Sequence, residues 1–276
     1  MSKKIEITRY EIVSKKIPPE FNGFKIAHVS DFHSRPEEGA AEIIAAESPD
    51  ITAVTGDILH DDDSDTGRAA RLMRALCEIS PVYFVTGNHD VRRPGCSRIF
   101  QKEFCGAVLL DNSSTFLEKD GAKIALCGVG DPFSKLPERI SQNIGEAFSS
   151  LMQSAPEPQC APTLTSPMPL SEYDGFKILL FHRANLFDEI KTYPFDLILS
   201  GHMHGGQIRL PYLGGVLAPL SSALSHRRMI FPQYTAGRVD SDGKTMIINR
   251  GLSNTLPFPR FGNPCEVGII TLVCAD

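Results

Sequence analysis

Residues 199–207 read LSGHMHGGQ, and this stretch decides how the rest of the chain is interpreted. It ends the apolar run Phe195–Leu199, which predicts a buried strand. If the backbone stays extended beyond that strand, the side-chain period of two places His202 and His204 on the same side. The two glycines let the chain turn closely beneath whatever the imidazoles hold. Taken alone, the stretch is a weak indication of a metal site.

The composition narrows the class of protein. The chain has 276 residues, of which 42% are hydrophobic and 22% charged, as in a soluble globular protein. A net charge of -5 disfavours a general nucleic-acid binder. The sequence has no apolar window of roughly 18 residues, so no membrane span is expected, and the N-terminus lacks the apolar run of a signal peptide. Its seven cysteines include no Cys-x-x-Cys pair, which favours reduced thiols and a cytoplasmic location.

The first third of the chain alternates strands with helices. Apolar runs predict buried strands at 24–30, 51–55 and 81–86, and helical spacing predicts helices over 37–47 and 68–79 between them. Consecutive βα units require crossover connections, so at least one sheet is expected to contain parallel pairs.

The rest of the chain predicts more strands, and residues 5–13 predict an edge strand. Five prolines between residues 155 and 169 predict a surface insertion at about 154–172 within a single domain of residues 1–276. The other expected elements are helices over 136–152 and 186–191, strands over 114–118, 123–128, 176–181, 195–199 and 266–273, and hairpins around Gly214-Gly215 and Asp242-Gly243.

Metal-ligand side chains follow five of the buried strands. In α/β sheets this edge is where ligands bind, because the loops converge there. A single Asp in such a place more often caps a turn, and His182 alone could be a core histidine, but the joint arrangement favours a site for divalent metals without a thiolate ligand. Seven candidates are too many for one catalytic ion and suit two ions that share a carboxylate: Asp31, His33, Asp57, Asn88, His182, His202 and His204.

The order of these blocks carries a resemblance to a known family. Asp31-x-His33, Gly56-Asp57, Gly87-Asn88-His89-Asp90, His182 and Gly201-His202-x-His204 resemble the five motifs of the calcineurin-like metallophosphoesterase superfamily. Residues 205–208, 249–252 and 257–261 are similar to a bacterial branch of small phosphohydrolases. The resemblance implies an α/β (α+β) fold of the metallo-dependent phosphatase-like type, a four-layer α/β/β/α sandwich of two mixed β-sheets.

The resemblance also implies the chemistry. A dinuclear centre would hydrolyse phosphomonoesters or phosphodiesters through in-line attack by a hydroxide that bridges two divalent ions, which could be Mn, Fe, Zn or Co. Asp31, His33 and His204 would hold the first ion. Asn88, His182 and His202 would hold the second, and Asp57 would bridge the two.

Further roles follow from the same motifs. His89 would protonate the leaving oxygen or stabilise the transition state, and Asp90 would hold either His89 or its loop. The phosphoprotein phosphatase branch has an aspartate three residues after the shared Asp, whereas this chain has His60 there, followed by Asp61 and Asp62. This departure argues against a protein phosphatase and leaves open which carboxylate orients His89. The acidic residues 61–63 and 65 are interpreted as a solvated loop, and an acidic rim that repels polyanions is the alternative.

Arginines in seven loop positions could reach a phosphate, because a guanidinium binds two of its oxygens at once. Arg260 is the preferred candidate, followed by Arg250, and the others are Arg92, Arg93, Arg183, Arg227 and Arg228.

Two alternatives to a small soluble phosphoester remain open at this point. One is a lipid-linked phosphoester or pyrophosphate, with peripheral membrane contact through the apolar residues 210–224, although packing in the core is the preferred use of that segment. The other is a non-catalytic scaffold that binds a partner protein through the same metal-dependent fold.

Overall fold

The computed structural model describes residues 5–35, 39–61, 66–104, 106–134, 136, 138–156, 168–217, 219, 230–253 and 259–275. In chain order its strands are β1 (Glu6–Ser14), β2 (Lys25–Val29), β3 (Ile51–Thr55), β4 (Val82–Val85), β5 (Ala107–Leu109), β6 (Ser113–Lys119), β7 (Ala122–Val129), β8 (Lys177–Arg183), β9 (Leu197–Gly201), β10 (Arg209–Leu210), β11 (Gly214–Gly215), β12 (Gly237–Ser241), β13 (Lys244–Ile248) and β14 (Glu266–Cys274). The helices are α1 (Ala40–Glu47), α2 (Gly67–Ile79), α3 (Asn88–Arg92), α4 (Cys96–Glu103), α5 (Glu138–Gln153) and α6 (Phe187–Ile190).

The large strands form two mixed sheets of six strands each. The first has the order β1-β14-β2-β3-β4-β5, and the second has the order β12-β13-β9-β8-β7-β6. Parallel pairs run from β2 to β5 in the first sheet and from β13 to β7 in the second, so the expected crossover connections are confirmed. β1 lies at an edge, as predicted, and pairs in parallel with β14.

The two sheets pack face to face. Ile26 and Tyr83 of the first sheet share a buried cluster with Leu180 and Leu199 of the second. Helices cover the outer faces: α1, α2 and α4 pack on the first sheet, and α5 and α6 pack on the second. The α/β/β/α sandwich is therefore confirmed. Because the inner strands are buried on both faces, their sequences are nearly continuous apolar runs instead of alternating patterns.

Helices α3 and α4 were not predicted. α3 has five residues and carries only polar and charged side chains apart from Val91. α3 therefore shows no apolar helical spacing. In α4, which starts directly after Gly95, Cys96, Ile99 and Phe100 do stand at helical spacing and pack against the outer face of the first sheet, so the sequence does carry a signal for this helix that was missed.

Two other expectations concern surface segments. Residues 157–167 of the proline-rich insertion lie outside the described residues, and the N–H of Leu170 donates to the carbonyl of Ser154 at 2.9 Å, so the ends of the excursion meet. The single-domain organisation stays a prediction. At the β10–β11 turn Tyr212 and Leu213 are 107% and 64% exposed, so core packing was the wrong expectation for these two residues, whereas residues 218 and 220–229 are outside the described part. None of the helices in the described segments is long and apolar enough to cross a bilayer.

Candidate metal centre

Strand ends from both sheets meet at one buried place. Asp31 follows β2, Asp57 follows β3 and Asn88 follows β4, so the first sheet contributes two carboxylates and an amide. His182 lies near the end of β8, and His202 follows β9, so the second sheet contributes imidazoles. All seven predicted ligands are at most 6% exposed. The structure thus brings six of the predicted metal ligands into two groups, and it buries the seventh, Asn88, at the start of α3.

Cluster A consists of Asp31, His33 and His204. The Nε2 atoms of His33 and His204 are 3.3 Å apart. Oδ1 of Asp31 lies 3.4 Å from Nε2 of His204 and 3.7 Å from Nε2 of His33. Three donor atoms of this kind, directed at one point, could hold a metal ion.

Cluster B consists of Asp57, His182 and His202. Nε2 of His182 lies 3.2 Å from Oδ2 of Asp57 and 3.2 Å from Nδ1 of His202. Nδ1–H of His182 donates to the carbonyl of Thr55 at 2.7 Å, which leaves Nε2 as the ligand atom. This group could also hold a metal ion.

One carboxylate oxygen lies between the two clusters. Oδ2 of Asp57 is 3.2 Å from Nε2 of His182 in cluster B and 3.7 Å from Nε2 of His33 in cluster A. Its other oxygen, Oδ1, accepts the backbone N–H of His89 at 2.7 Å, which fixes the orientation of the group.

Unsatisfied polar atoms provide a test of whether a cation fits. Oδ1 and Nδ2 of Asn88 and Oδ1 of Asp31 are buried and have no hydrogen-bond partner among the described residues. Leaving a buried acceptor unpaired costs about 1–3 kcal/mol. A cation would satisfy both oxygens, so the residues present fit a metal centre.

The ligand-bearing backbone is strained. Asp31, His33 and Asp57 have φ angles of 52°, 53° and 52°, and His202 and His204 have 73° and 47°. Non-glycine residues seldom adopt this left-handed region, and such strain concentrates at functional sites. The stretch from His202 to His204 is therefore not extended, and the two imidazoles belong to different clusters. Gly205 packs against Asn263 and Gly206 against Gly215, so both glycines allow a close approach of neighbouring residues.

The carboxylates and imidazoles of the two clusters shift one another's pKa values. Burial would raise the pKa values of Asp31 and Asp57, but the surrounding imidazoles lower them well below the usual range. Burial lowers the pKa of His204 to about 3. Burial would also lower the pKa of His182, but Asp57 raises it to about 10. Both carboxylates are thus ionised, the form in which they would bind a cation.

His89 lies beside cluster A, and Asp61 orients it. Nδ1–H of His89 donates to Oδ1 of Asp61 at 2.8 Å, and its ring packs edge-on against His33 at a centroid distance of 4.7 Å. Oδ2 of Asp61 is paired with Nε of Arg92 at 3.0 Å. Burial would raise the pKa of Asp61, but the contacts with His89 and Arg92 lower it. Interpreting Asp61 as part of a solvated loop was therefore wrong, and residues 62, 63 and 65 lie outside the described part.

Asp90 holds the loop, which was one of its two predicted uses. Its carboxylate accepts the backbone N–H groups of Gly87 and Leu59 at 2.8 Å each and that of Ile58 at 3.3 Å. Asp90 therefore fastens the segment after β3 to the start of α3.

The candidate arginines differ in whether their guanidinium groups reach the two clusters. Nη2 of Arg260 is 3.1 Å from Nδ1 of His204, so this guanidinium reaches the site. Arg250 does not: its guanidinium pairs with Glu266 at 3.1 Å and with Glu6 at 2.9 Å, at the β1–β14 edge. Of the others, Arg183 pairs with the buried Asp131, Arg93 donates to the carbonyl of His60, Arg92 contacts His89, and Arg227 and Arg228 lie outside the described residues.

A family model and curated relatives share a phosphoesterase description. The family model described as calcineurin-like phosphoesterase matches residues 24–206. The uncharacterized metallophosphoesterase YkuE of Bacillus subtilis is 29% identical over 97% of this chain and 85% of its own length. Phosphodiesterase YaeI of Escherichia coli is 27% identical over 71% of this chain and 66% of its own length. The crystal structure of TT1561 from Thermus thermophilus covers 84% of this chain and 91% of its own at 13% identity, with a TM-score of 0.47.

Proposed function

Because the chain belongs to the calcineurin-like phosphoesterase family and is a metallophosphoesterase, we propose that it hydrolyses phosphomonoesters or phosphodiesters at a dinuclear metal centre. The observation that carries the proposal is the position of Asp57 Oδ2 between the imidazoles of cluster A and cluster B. Two neighbouring ions need a carboxylate oxygen that they share, whereas two independent metal sites would not need one.

Each cluster would hold one ion. Asp31, His33 and His204 would bind the first; His182, His202 and the amide oxygen of Asn88 would bind the second; Asp57 would bind both. This mixture of nitrogen and oxygen ligands suits Mn, Fe, Zn or Co. When bound, a pair of divalent ions supplies an activated water and neutralises phosphoryl oxygens, so that water displaces the ester oxygen in line.

His89 is the proposed proton donor to the leaving oxygen. Asp61 accepts its Nδ1–H at 2.8 Å and fixes the ring beside cluster A. A general acid in this position contributes about 100- to 10,000-fold to the rate.

Arg260 is the proposed phosphate ligand. It is within 3.1 Å of His204, and its Nε and Nη1 are buried without a hydrogen-bond partner among the described residues. A guanidinium with two unpaired nitrogens can bind a phosphoryl oxygen strongly.

The test uses purified protein with manganese, a nitrophenyl phosphate and its diester. We expect hydrolysis by the wild type, and we expect Asp57→Asn to lose both turnover and bound metal, because the shared ligand loses its charge. Asp240→Asn, on the exposed hairpin of β12 and β13, is the matched control and should behave as the wild type. Full activity and a full complement of metal in Asp57→Asn would rule the proposal out. The name of the relative YaeI is a reason to include diesters.

A lipid-linked ester is a second candidate substrate, and one observation favours it. Tyr212 and Phe261 are exposed and line an open cavity of about 650 Å³ together with Arg209. Arg209 donates to the carbonyl of Gly205 at 3.1 Å, directly after the cluster A ligand His204. An apolar chain could therefore lie beside the metal centre.

This candidate is tested with the double variant Tyr212→Ser, Leu213→Ser. We expect slower hydrolysis of a phosphodiester lipid in micelles and unchanged hydrolysis of soluble nitrophenyl esters. An equal effect on both substrates, or no effect on either, would contradict it.

A further inference from the structure

The carboxylate of Asp61 contacts two imidazoles, those of His60 and His89. Its Oδ1 lies 2.8 Å from Nδ1 of His89 and 3.1 Å from Nδ1 of His60. The two rings are close, with a centroid distance of 4.7 Å. The contact with His89 is a hydrogen bond, so Asp61 fixes the orientation of that ring, and the His60 ring lies against the same carboxylate oxygen.

His60 is turned inward at the edge of the metal centre. It is only 7% exposed, and its ring centroid is 5.4 Å from that of His33. A ring nitrogen from each of His33, His60 and His89 lies within 4.8 Å of the others. The preceding residues Ile58 and Leu59 are buried, and Asp90 accepts their backbone N–H groups, which holds the chain in place directly before His60.

We propose that His60 binds an oxygen of the substrate phosphate, side by side with His89. The inference rests on the proposed function and adds a residue to it. Nε2 of His33 faces Asp31 and His204, and the rings of His60 and His89 lie against the ring of His33, so a phosphate bound at cluster A would lie close to both. An imidazole N–H there donates to an anionic oxygen, the kind of hydrogen bond worth more than one between neutral groups.

Two other roles for His60, as a metal ligand or as a residue that positions His89, predict different experimental results. If His60 were a metal ligand, as its distance from His33 and His89 would allow, its removal would lower the metal content. If it only positioned His89 through Asp61, its removal would lower kcat without changing phosphate affinity.

The experiment compares the metal-loaded wild type with His60→Ala and His60→Gln. The probe is inorganic phosphate, whose Kd is measured by calorimetry, together with metal content, the unfolding temperature, and KM and kcat for a nitrophenyl phosphate. We expect His60→Ala to keep its metal and to bind phosphate about 10- to 100-fold more weakly, with KM raised. We expect His60→Gln, which retains an amide donor, to recover part of the affinity.

An unchanged phosphate Kd in His60→Ala, or a loss of metal from it, overturns the proposal. If His60→Ala fails to fold, His60→Gln and His60→Asn provide the same measurement. Phosphate binding is measured without turnover, so it tests His60 even if the wild type hydrolyses none of the esters, a result that would count against the proposed function instead.

Discussion

His28 is a buried imidazole that belongs to neither cluster. It is fully buried, and its Nε2 is hydrogen-bonded to Oγ1 of Thr55 at 2.9 Å, as expected for a histidine inside a strand. Burial lowers its pKa from 6.5 to about 3. Between these two pH values the unfolded chain binds a proton that the folded chain does not, so folding free energy is lost as pH falls below about 6.5.

The variant His28→Gln tests this. For this one group the loss is about 1.4 kcal/mol per pH unit. We expect the wild-type free energy of unfolding, measured by urea titration at pH 7, 6 and 5, to fall more steeply than that of the variant, because glutamine does not titrate. Comparing the two proteins removes the contribution of other ionisable groups. Parallel curves would show that His28 is protonated inside the fold.

The residues of clusters A and B could be predicted one by one, because each lies at the carboxyl end of an apolar strand or just beyond it and has a side chain that can bind divalent ions. Asp61 could not. It lies four positions after Asp57, one more than in the phosphoprotein phosphatase pattern, inside an acidic run that favours solvation. Its contact with His89 depends on the path of the loop, which Asp90 determines from another element.

At the level of elements, strands were easier to predict than the helices at the site. β3 and β8 are buried on both faces, and their apolar runs are sufficient to identify them. α3 is instead placed by its polar contacts: its first turn donates the His89 N–H to Asp57 and includes Asp90, which accepts from Gly87. A helix whose position depends on polar contacts has no apolar periodicity from which it could be predicted.

A substitution of Gly87, directly before α3, tests whether the position of α3 depends on these polar contacts. A Cβ at this position would lie 2.2 Å from Oδ1 and 2.3 Å from the backbone N of Asp57, so the alanine variant must displace either α3 or the shared carboxylate. We expect Gly87→Ala to lose metal and nearly all turnover. Gly145→Ala is the control, since its Cβ would meet nothing within 4 Å in the interior of α5; it should gain about 0.5–1 kcal/mol of stability. Metal content and urea titration distinguish the variants, and a metal-replete Gly87→Ala protein would contradict this account.

For the whole molecule, parallel pairing and layers could be predicted, but the assignment of strands to sheets could not. β14, the last strand, inserts between β1 and β2 and is antiparallel to β2. Local sequence carries no signal for a partner more than 200 residues away. The same arrangement places the residues of clusters A and B on both sheets, so the candidate site connects two layers that otherwise meet mainly through apolar side chains.

Metal removal should therefore weaken the whole sandwich and not only the active site. Without cations, the carboxylates of Asp31 and Asp57 and the imidazoles of both clusters remain buried among one another, and the bond between the sheets at this edge is lost. A ligand present at 100 times its Kd stabilises the folded state by about 2.7 kcal/mol. We expect dialysis against a chelator to lower the unfolding temperature, to raise hydrogen exchange at the carboxyl ends of β3 and β9 together, and to be reversed by manganese. Asp57→Asn provides the control, because a protein that has already lost the shared ligand should respond much less to the chelator. Increased exchange in one sheet alone would mean that the ions do not join the two layers.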